Sequence, residues 1–290
     1  MIPNSSQGSQ ARPGALGVGG PSEARPGALG VGGPSEARPG ALGVGGPPVT
    51  EATFLAGYDP QDYPSVALTV DLVVFAVVNK VLHVALVERG AQPFLGSWAL
   101  PGGFVGTAED ALSAAHRELV EETGLDLGTH RVFVEQLATF SEPQRDPRMR
   151  VVSVAHLVLL AGDGARLVEL RAGTDASDAQ WLPVHELDRT SLAFDHAEIL
   201  AAGLERLAGK MEYTTIAAEL VPEEFTLSAL RDIYTAVWQS ELPAGNFTRK
   251  MRASLTPTGR KVQAVGAPAS LFTVASEWIS PPWSRPRAGV

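Results

Sequence analysis

Between Val66 and Val78 the chain runs through β-branched and apolar residues with hardly a break, the pattern of one buried strand or of two in succession. Asn79-Lys80 makes a tight turn, and Val81 to Val87 reads as the return strand. Pro93 to Gly96 is a loop, and Glu109 to Glu122 reads as a helix with Gly124 standing where a helix closes. Strand-like runs follow at Val132–Phe140, Val151–Leu160 and Ala179–Leu182, and helical spacing returns from Asp195 to Leu207. Strands with one embedded helix, then more strands and a helix, predict a mixed α/β sandwich rather than regular βαβ winding.

A second unit opens near Met211. Thr226 is a natural N-cap for a helix with Leu227, Leu230, Ile233, Tyr234 and Val237 on its apolar face. Ala244 to Ala253 predicts a second, short helix, with Asn246 as its candidate cap and with Phe247 and Met251 turned to the unit's own core. Thr256–Lys261 and Ser270–Val274 predict two strands joined across Val265 to Ala269. Helix, turn, basic helix and hairpin is the order of a winged helix.

The ends differ. ARPGALGVGGPSE starts at Ala11, recurs at Ala24 and begins again at Ala37, a Gly/Pro-rich repeat whose period of thirteen is too short for a solenoid. Such a segment has little apolar surface to offset its ordering entropy. The expected layout is a disordered stretch over 1–57, a first domain over 58–210, a winged-helix-like domain over 211–275 and a disordered tail over 276–290.

Charge refines the picture. A formal net charge of −9 argues against a general nucleic-acid binder. From Pro243 onward, however, there are seven Lys/Arg against one acid, Glu277, leaving 16 basic and 31 acidic residues ahead of them. An acidic body thus ends in a basic domain, and Arg249, Lys250, Arg252, Arg260 and Lys261 make a candidate DNA footprint, the bland alternative being a solvated face. With no cysteine, disulfides and thiolate chemistry are excluded. No apolar run is long enough to span a membrane and no secretory signal is visible, so a cytoplasmic protein is expected.

The segment that carries chemistry is Gly103, then Glu109, then Arg117-Glu118-Leu119-Val120-Glu121-Glu122-Thr123-Gly124-Leu125. On a helix, Glu118 lies three residues from Glu121 and four from Glu122, so the three carboxylates occupy adjoining positions. Like charges so placed repel by roughly 0.2–0.5 kcal/mol per exposed pair, and more when partly buried. Arg117 compensates one of them, and the surplus suits Mg²⁺, with Mn²⁺ as a substitute. Gly102 and Gly103 let the preceding loop bend closely enough for a backbone carbonyl to approach the ion.

These residues resemble the Nudix box, G-x(5)-E-x(7)-R-E-U-x-E-E-x-G-U with U aliphatic, at all nine of its restricted positions over twenty-three residues. The resemblance implies a Nudix α/β/α sandwich with a mixed sheet, followed here by the small winged-helix domain. It implies a hydrolase in which Glu118, Glu121, Glu122 and the Gly102 carbonyl hold divalent metal. In that family Arg117 orients a glutamate, Glu109 ties loop to helix, and metal acidifies a water that attacks one phosphorus. A glutamate outside the box often serves as base, and Glu135 and Glu142 are the candidates.

The region from Trp98 to Val105, Glu135 to Phe140, Arg145 to Ser153 and Leu192 to His196 is similar to ADP-ribose-type Nudix proteins, including the Nudix-related transcriptional regulators of NAD metabolism. Arg145, Arg148 and Arg150 could clamp a pyrophosphate or sit solvated in a loop. Trp98 could stack on adenine or belong to the core, and Asp195-His196 could cap the helix that follows. Two functions stay open: a hydrolase of ADP-ribose or a related nucleoside diphosphate, and an ADP-ribose-responsive regulator that binds double-stranded DNA. Relatives of this type commonly dimerise, so a homodimer is implied.

Overall fold

The computed structural model describes residues 50–126, 128, 131–162, 169–173, 176–264, 267–275 and 284–286. The repeat and most of the predicted tail lie outside the described residues. Residues to Asp59 and those from Pro60 onward form separate units. In the first, Glu51–Ala56 form a short helix, α1, capped by Thr50, whose hydroxyl accepts from the Thr53 N–H at 3.2 Å. The expectation of disorder through residue 57 is corrected there, because a side-chain cap satisfies the helix start.

The second unit begins with strands β1 (Ala67–Val78) and β2 (Val81–Arg89), joined by the predicted turn in which Asn79 and Lys80 take positive φ. Two short strands that hydrophobic patterning did not suggest, β3 (Trp98–Ala99) and β4 (Gly102–Phe104), lead into helix α2 (Ala111–Thr123). Asp110 caps α2 through the Ser113 N–H at 2.8 Å, and Gly124 closes it in the left-handed region. Strands β5 (Val132–Phe140), β6 (Val151–Leu160) and β7 (Ala176–Pro183) complete the sheet before helix α3 (His196–Lys210).

The sheet order is β3-β2-β1-β6-β5, with β4 paired to β1 and β7 to β2; β1 and β6 run parallel. Both faces of β1 are covered, which is why its sequence is a nearly continuous apolar run. Val70, Leu72, Val74 and Ala76 pack in one cluster with Ala114, Ala115 and Leu119 of α2. Val73, Phe75 and Val77 join Ile199, Leu200 and Leu207 of α3 on the other face. The sandwich places α2 on one side and α3 on the other.

The C-terminal domain is a winged helix: β8 (Phe225–Thr226), α4 (Leu227–Trp238), α5 (Ala244–Met251), β9 (Leu255–Val262) and β10 (Ala269–Val274), with the strands ordered β8-β10-β9. Thr226 caps α4 as expected. Asn246 does not cap α5; Pro243 occupies that position, and the Asn246 amide oxygen accepts from Arg249 inside the helix. Phe247 and Met251 are buried as the periodicity required.

The α3-side cluster continues unbroken into the winged helix through Tyr234, Trp238 and Phe247. Trp238 Nε1–H donates to the Ala208 carbonyl at 3.1 Å, and the Tyr234 hydroxyl donates to the Met211 carbonyl at 3.3 Å. Trp238→Ala should therefore cost about 3–5 kcal/mol in urea unfolding. Trp238→Phe, which keeps one aromatic ring but loses the pyrrole portion and the hydrogen bond, should cost less, about 1–3 kcal/mol.

Candidate functional site

A cleft of about 430 Å³ opens between β1, the ends of β2 and β4, α2 and the start of α3, a size suited to a nucleotide-like ligand. Two carboxylates of α2 face it, Glu118 and Glu122. Gly103 makes room for the first: a Cβ there would stand 2.2 Å from Glu118 Oε1. The Gly102 N–H donates to Glu122 Oε2 at 2.9 Å and fixes the second. Burial raises the Glu118 carboxyl against the lowering effect of Arg117. Glu122, more deeply placed, is pushed up to about 7 by burial, opposed by the Gly102 N–H and reinforced by the charge on Glu118.

Arg117 is the bracket behind them. Its guanidinium donates to Glu109 at 2.7 and 3.1 Å, to Glu118 at 2.8 Å, to Glu121 at 3.0 Å and to the Phe104 carbonyl at 3.1 Å. Glu109 in turn accepts the Gly106 N–H at 2.7 Å, tying loop to helix. Glu121 is the member of the predicted trio that the structure does not bring into the cleft; its side chain is 57% exposed and held by Arg117. Gly102 lines the cleft and gives its N–H to Glu122.

The residues fit Mg²⁺ nonetheless. Among the described residues no three acidic or histidine side chains converge as a cage. Mg²⁺, however, commonly takes only one or two carboxylates and completes its shell with water and substrate phosphate. Two desolvated carboxylates on the wall of an open cleft, Glu118 raising the proton affinity of Glu122, supply that donor set.

Two guanidinium groups line the same cleft, and the charge of one, Arg89, partly offsets the raised pKa of Glu122. Arg148 pairs with Asp146 at 2.7 Å and lies 5.5 Å from the Phe104 ring centroid. Arg89, at the end of β2, lies 4.9 Å from the Phe194 centroid and donates to the Pro93 carbonyl at 2.7 Å. Burial and the neighbouring Arg148 charge both lower the Arg89 pKa, so an anion placed between the two would relieve their repulsion. Sequence reading missed Arg89 and Phe194, a residue at φ +53° just before α3. It also missed Thr69, whose buried hydroxyl has no hydrogen-bond partner on the same wall. A residue at positive φ and a bare buried hydroxyl were legible only in three dimensions.

Three of the candidate ligand contacts have partners within the protein. Arg145 is buried and grips Asp195 with two bonds, at 2.6 and 2.8 Å, and Asp71 at 3.1 Å. It braces the floor of the cleft, whose lining it joins. Arg150 donates to the carbonyls of Glu142 and Val151, outside the cleft lining. Trp98 packs against the core, its carbonyl accepting the Ala193 N–H at 2.8 Å.

Asp195 occupies the α3 N-cap position without a side-chain cap bond, because Arg145 takes its carboxylate. His196 Nδ1 accepts the Leu100 N–H at 2.8 Å, which assigns the ring proton to Nε2, 3.3 Å from Asp71 Oδ1. Burial would raise Asp71, but His196, the Ser153 hydroxyl at 2.5 Å and Arg145 hold it at about 2. The candidate bases fare no better: Glu135 is bound by Arg206 and Lys210, Glu142 is exposed, and neither lines the cleft.

The five candidate DNA-contacting residues of the winged helix lie on or just after α5 and on β9. Arg249, Arg252, Arg260 and Lys261 are exposed and Lys250 half-buried, with Arg260 paired to Glu224 at 2.9 Å.

Comparison with known proteins agrees with this two-part geometry. The NUDIX domain family matches residues 67–203, and the NrtR DNA-binding winged helix domain matches residues 217–274. The ADPR responsive transcriptional repressor NtrR of Acinetobacter baylyi is 33% identical over 230 residues, covering 78% of this chain and 89% of its own. An ADP-ribose pyrophosphatase of Methanocaldococcus jannaschii is 37% identical over 124 residues, 43% of this chain and 67% of its own. The crystal structure of Shewanella oneidensis NrtR complexed with a 27mer DNA matches 72% of this chain and 93% of its own at 31% identity, with a TM-score of 0.60. A Nudix domain joined to a winged helix defines the class. Within it, the chain belongs to the NrtR family of Nudix-related regulators.

Two outcomes follow from the buried charges. The Glu122 pKa is raised from 4.5 to about 7 on folding, so its contribution to stability is fully present below pH 4.5 and is lost as pH rises through 7. Without metal, Glu122→Gln should therefore stabilise the fold at pH 8 by on the order of 2–3 kcal/mol relative to pH 4, read from denaturant curves at both pH values. Arg145→Ala, which strands two buried carboxylates, should cost about 3–5 kcal/mol by the same measurement at neutral pH.

Proposed function

We propose that this chain is a DNA-binding regulator whose Nudix cleft takes ADP-ribose or a related NAD-derived nucleoside diphosphate, and that the cleft hydrolyses this ligand in the presence of Mg²⁺. The observation that carries the reading is the meeting of both charges in one cleft, lined by Glu118 and Glu122 of α2 and by Arg89 and Arg148. A diphosphate bridged by a divalent ion neutralises both at once. The names of the Acinetobacter repressor and of the archaeal pyrophosphatase support the two halves of the proposal.

Bound Mg²⁺ would supply Lewis acidity toward the diphosphate. Glu118, steadied by Arg117, and Glu122, steadied by the Gly102 N–H, are its proposed ligands; Glu121 serves by holding Arg117 in place. Arg148 and Arg89 bind phosphate oxygens, and the Asp71–Arg145–Asp195 brace keeps the loop bearing Arg148 against β1 and α3. Arg249, Lys250, Arg252, Arg260 and Lys261 meet DNA phosphates, and a homodimer would present two such surfaces to one site. No helix among the described residues is long and apolar enough to cross a membrane, and a role on DNA places the chain in the cytoplasm.

Two assays test the halves. With Mg²⁺, the wild type should convert ADP-ribose to AMP and ribose 5-phosphate, and Glu122→Gln should lower the rate about 100-fold or more. Equal turnover by the two proteins would remove the site assignment. In gel shifts on the protein's own upstream DNA, about five phosphate contacts should weaken affinity about 10²–10³-fold between 50 and 200 mM salt. ADP-ribose should alter that binding. Hydrolysis without any DNA shift would leave the second reading, a hydrolase alone, which the complete set of box residues favours.

A further inference from the structure

The C-terminal turn of α2, which carries Glu121 and Glu122, lies against a segment distant in sequence. The Arg171 N–H donates to the Thr123 carbonyl at 2.8 Å, satisfying one of the carbonyls that a helix end leaves without an internal partner. Two residues on, the backbone comes closer still. A Cβ at position 173 would stand 1.7 Å from the Glu121 carbonyl oxygen, 2.8 Å from its carbon and 3.3 Å from Glu122 Cα. These are main-chain atoms of a helix, so they cannot swing aside as a side chain can. Glycine is what permits the contact.

Leu170 anchors the same segment. It packs against the α2-side cluster and also against the cluster of Val87, Ala99, Ala179 and Ala193 beneath β2 and β3. Ala176, at the start of β7, lines the cleft and pairs with Arg89. Glu122 is thus fixed at two points: its carboxylate by the Gly102 N–H, and its main chain by this packing.

We infer that residues 169–173 are a strap that sets the position of the last turn of α2, and that Gly173 is a positioning residue for the metal-facing carboxylate of Glu122. The inference rests on the proposed reading of the cleft as a divalent-metal site. It predicts that metal affinity depends on a residue that contributes no ligand atom. Changes in such supporting contacts typically cost about 10–100-fold in metal affinity.

The test uses the full chain without nucleotide and Mn²⁺ alone as probe, with free Mn²⁺ followed by electron paramagnetic resonance. Gly173→Ala should weaken Mn²⁺ binding about 10–100-fold in a protein that still unfolds cooperatively, at a melting temperature lowered by the main-chain clash. Leu170→Ala, which loosens the strap without adding bulk, should weaken it in the same direction. Gly209→Ala, at a position with nothing within 4 Å of an added Cβ, should bind as wild type. Wild-type Mn²⁺ affinity in a folded Gly173→Ala protein would overturn the inference, since the strap and not the helix would have given way. Should Gly173→Ala fail to fold, unchanged affinity in Leu170→Ala overturns it instead. Glu122→Gln separates the two levels: if it too binds Mn²⁺ as wild type, the metal-site reading fails and the strap's role falls with it.

Discussion

Two carboxylates held close together where water reaches poorly are an unfavourable arrangement, and the features around the cleft answer to it. Glu118 and Glu122 come together because they lie four residues apart on α2 and because the α2 face of β1 fixes how that helix sits. Burial then raises the proton affinity of both, most of all at Glu122. The protein does not quench this charge with a buried lysine or arginine. Arg117 reaches Glu118 and Glu121 but not Glu122, whose carboxyl feels the opposite charge of Arg89 at the cleft lining, while Arg148 is paired with Asp146. A cleft lined by desolvated carboxylates and by guanidinium groups is a site for a ligand that carries both charges, as a metal diphosphate does.

The floor of the cleft follows the opposite rule. Asp71 is also buried, yet it is held at about 2 because Arg145, Ser153 and His196 all turn toward it. Satisfied charge makes a brace, and unsatisfied charge makes a binding site. The distinction explains why three arginines adjacent in sequence have three fates: Arg145 in the brace, Arg148 in the cleft and Arg150 on main-chain carbonyls.

Those fates also mark what the amino-acid order could reveal. Glu118, Arg117 and Glu109 were legible because their relation is local, set by helix geometry and one short loop. The winged helix was legible for the same reason, from the Thr226 cap and the spacing of Tyr234 and Phe247. Arg145 was left open between a pyrophosphate clamp and a solvated loop because its protein partners are 50 and 74 residues away, and a guanidinium in a loop looks the same whether it ends in solvent or against Asp71. Arg89 and Phe194 went unseen because a strand end and a helix entry carry no periodic signal. Glu121 was grouped with its neighbours because spacing fixes the face of a helix only within a broad arc, and Arg117 decides which side of that arc each carboxylate takes. The short strands β3 and β4 were hidden because they are held by pairing to β2 and β1, not by their own composition.

The central claim is that a metal diphosphate bridges Glu118 and Glu122 to Arg89 and Arg148. A crystal structure of the full chain with Mg²⁺ and a methylene-bridged, non-hydrolysable ADP-ribose analogue tests it most directly. The account predicts an ion coordinated by both glutamates and by the phosphonate oxygens, with the two guanidinium groups on the remaining oxygens and Arg145 still bound to Asp71 and Asp195. An analogue seated elsewhere, or seated in the cleft with both carboxylates free of any ion, would contradict it.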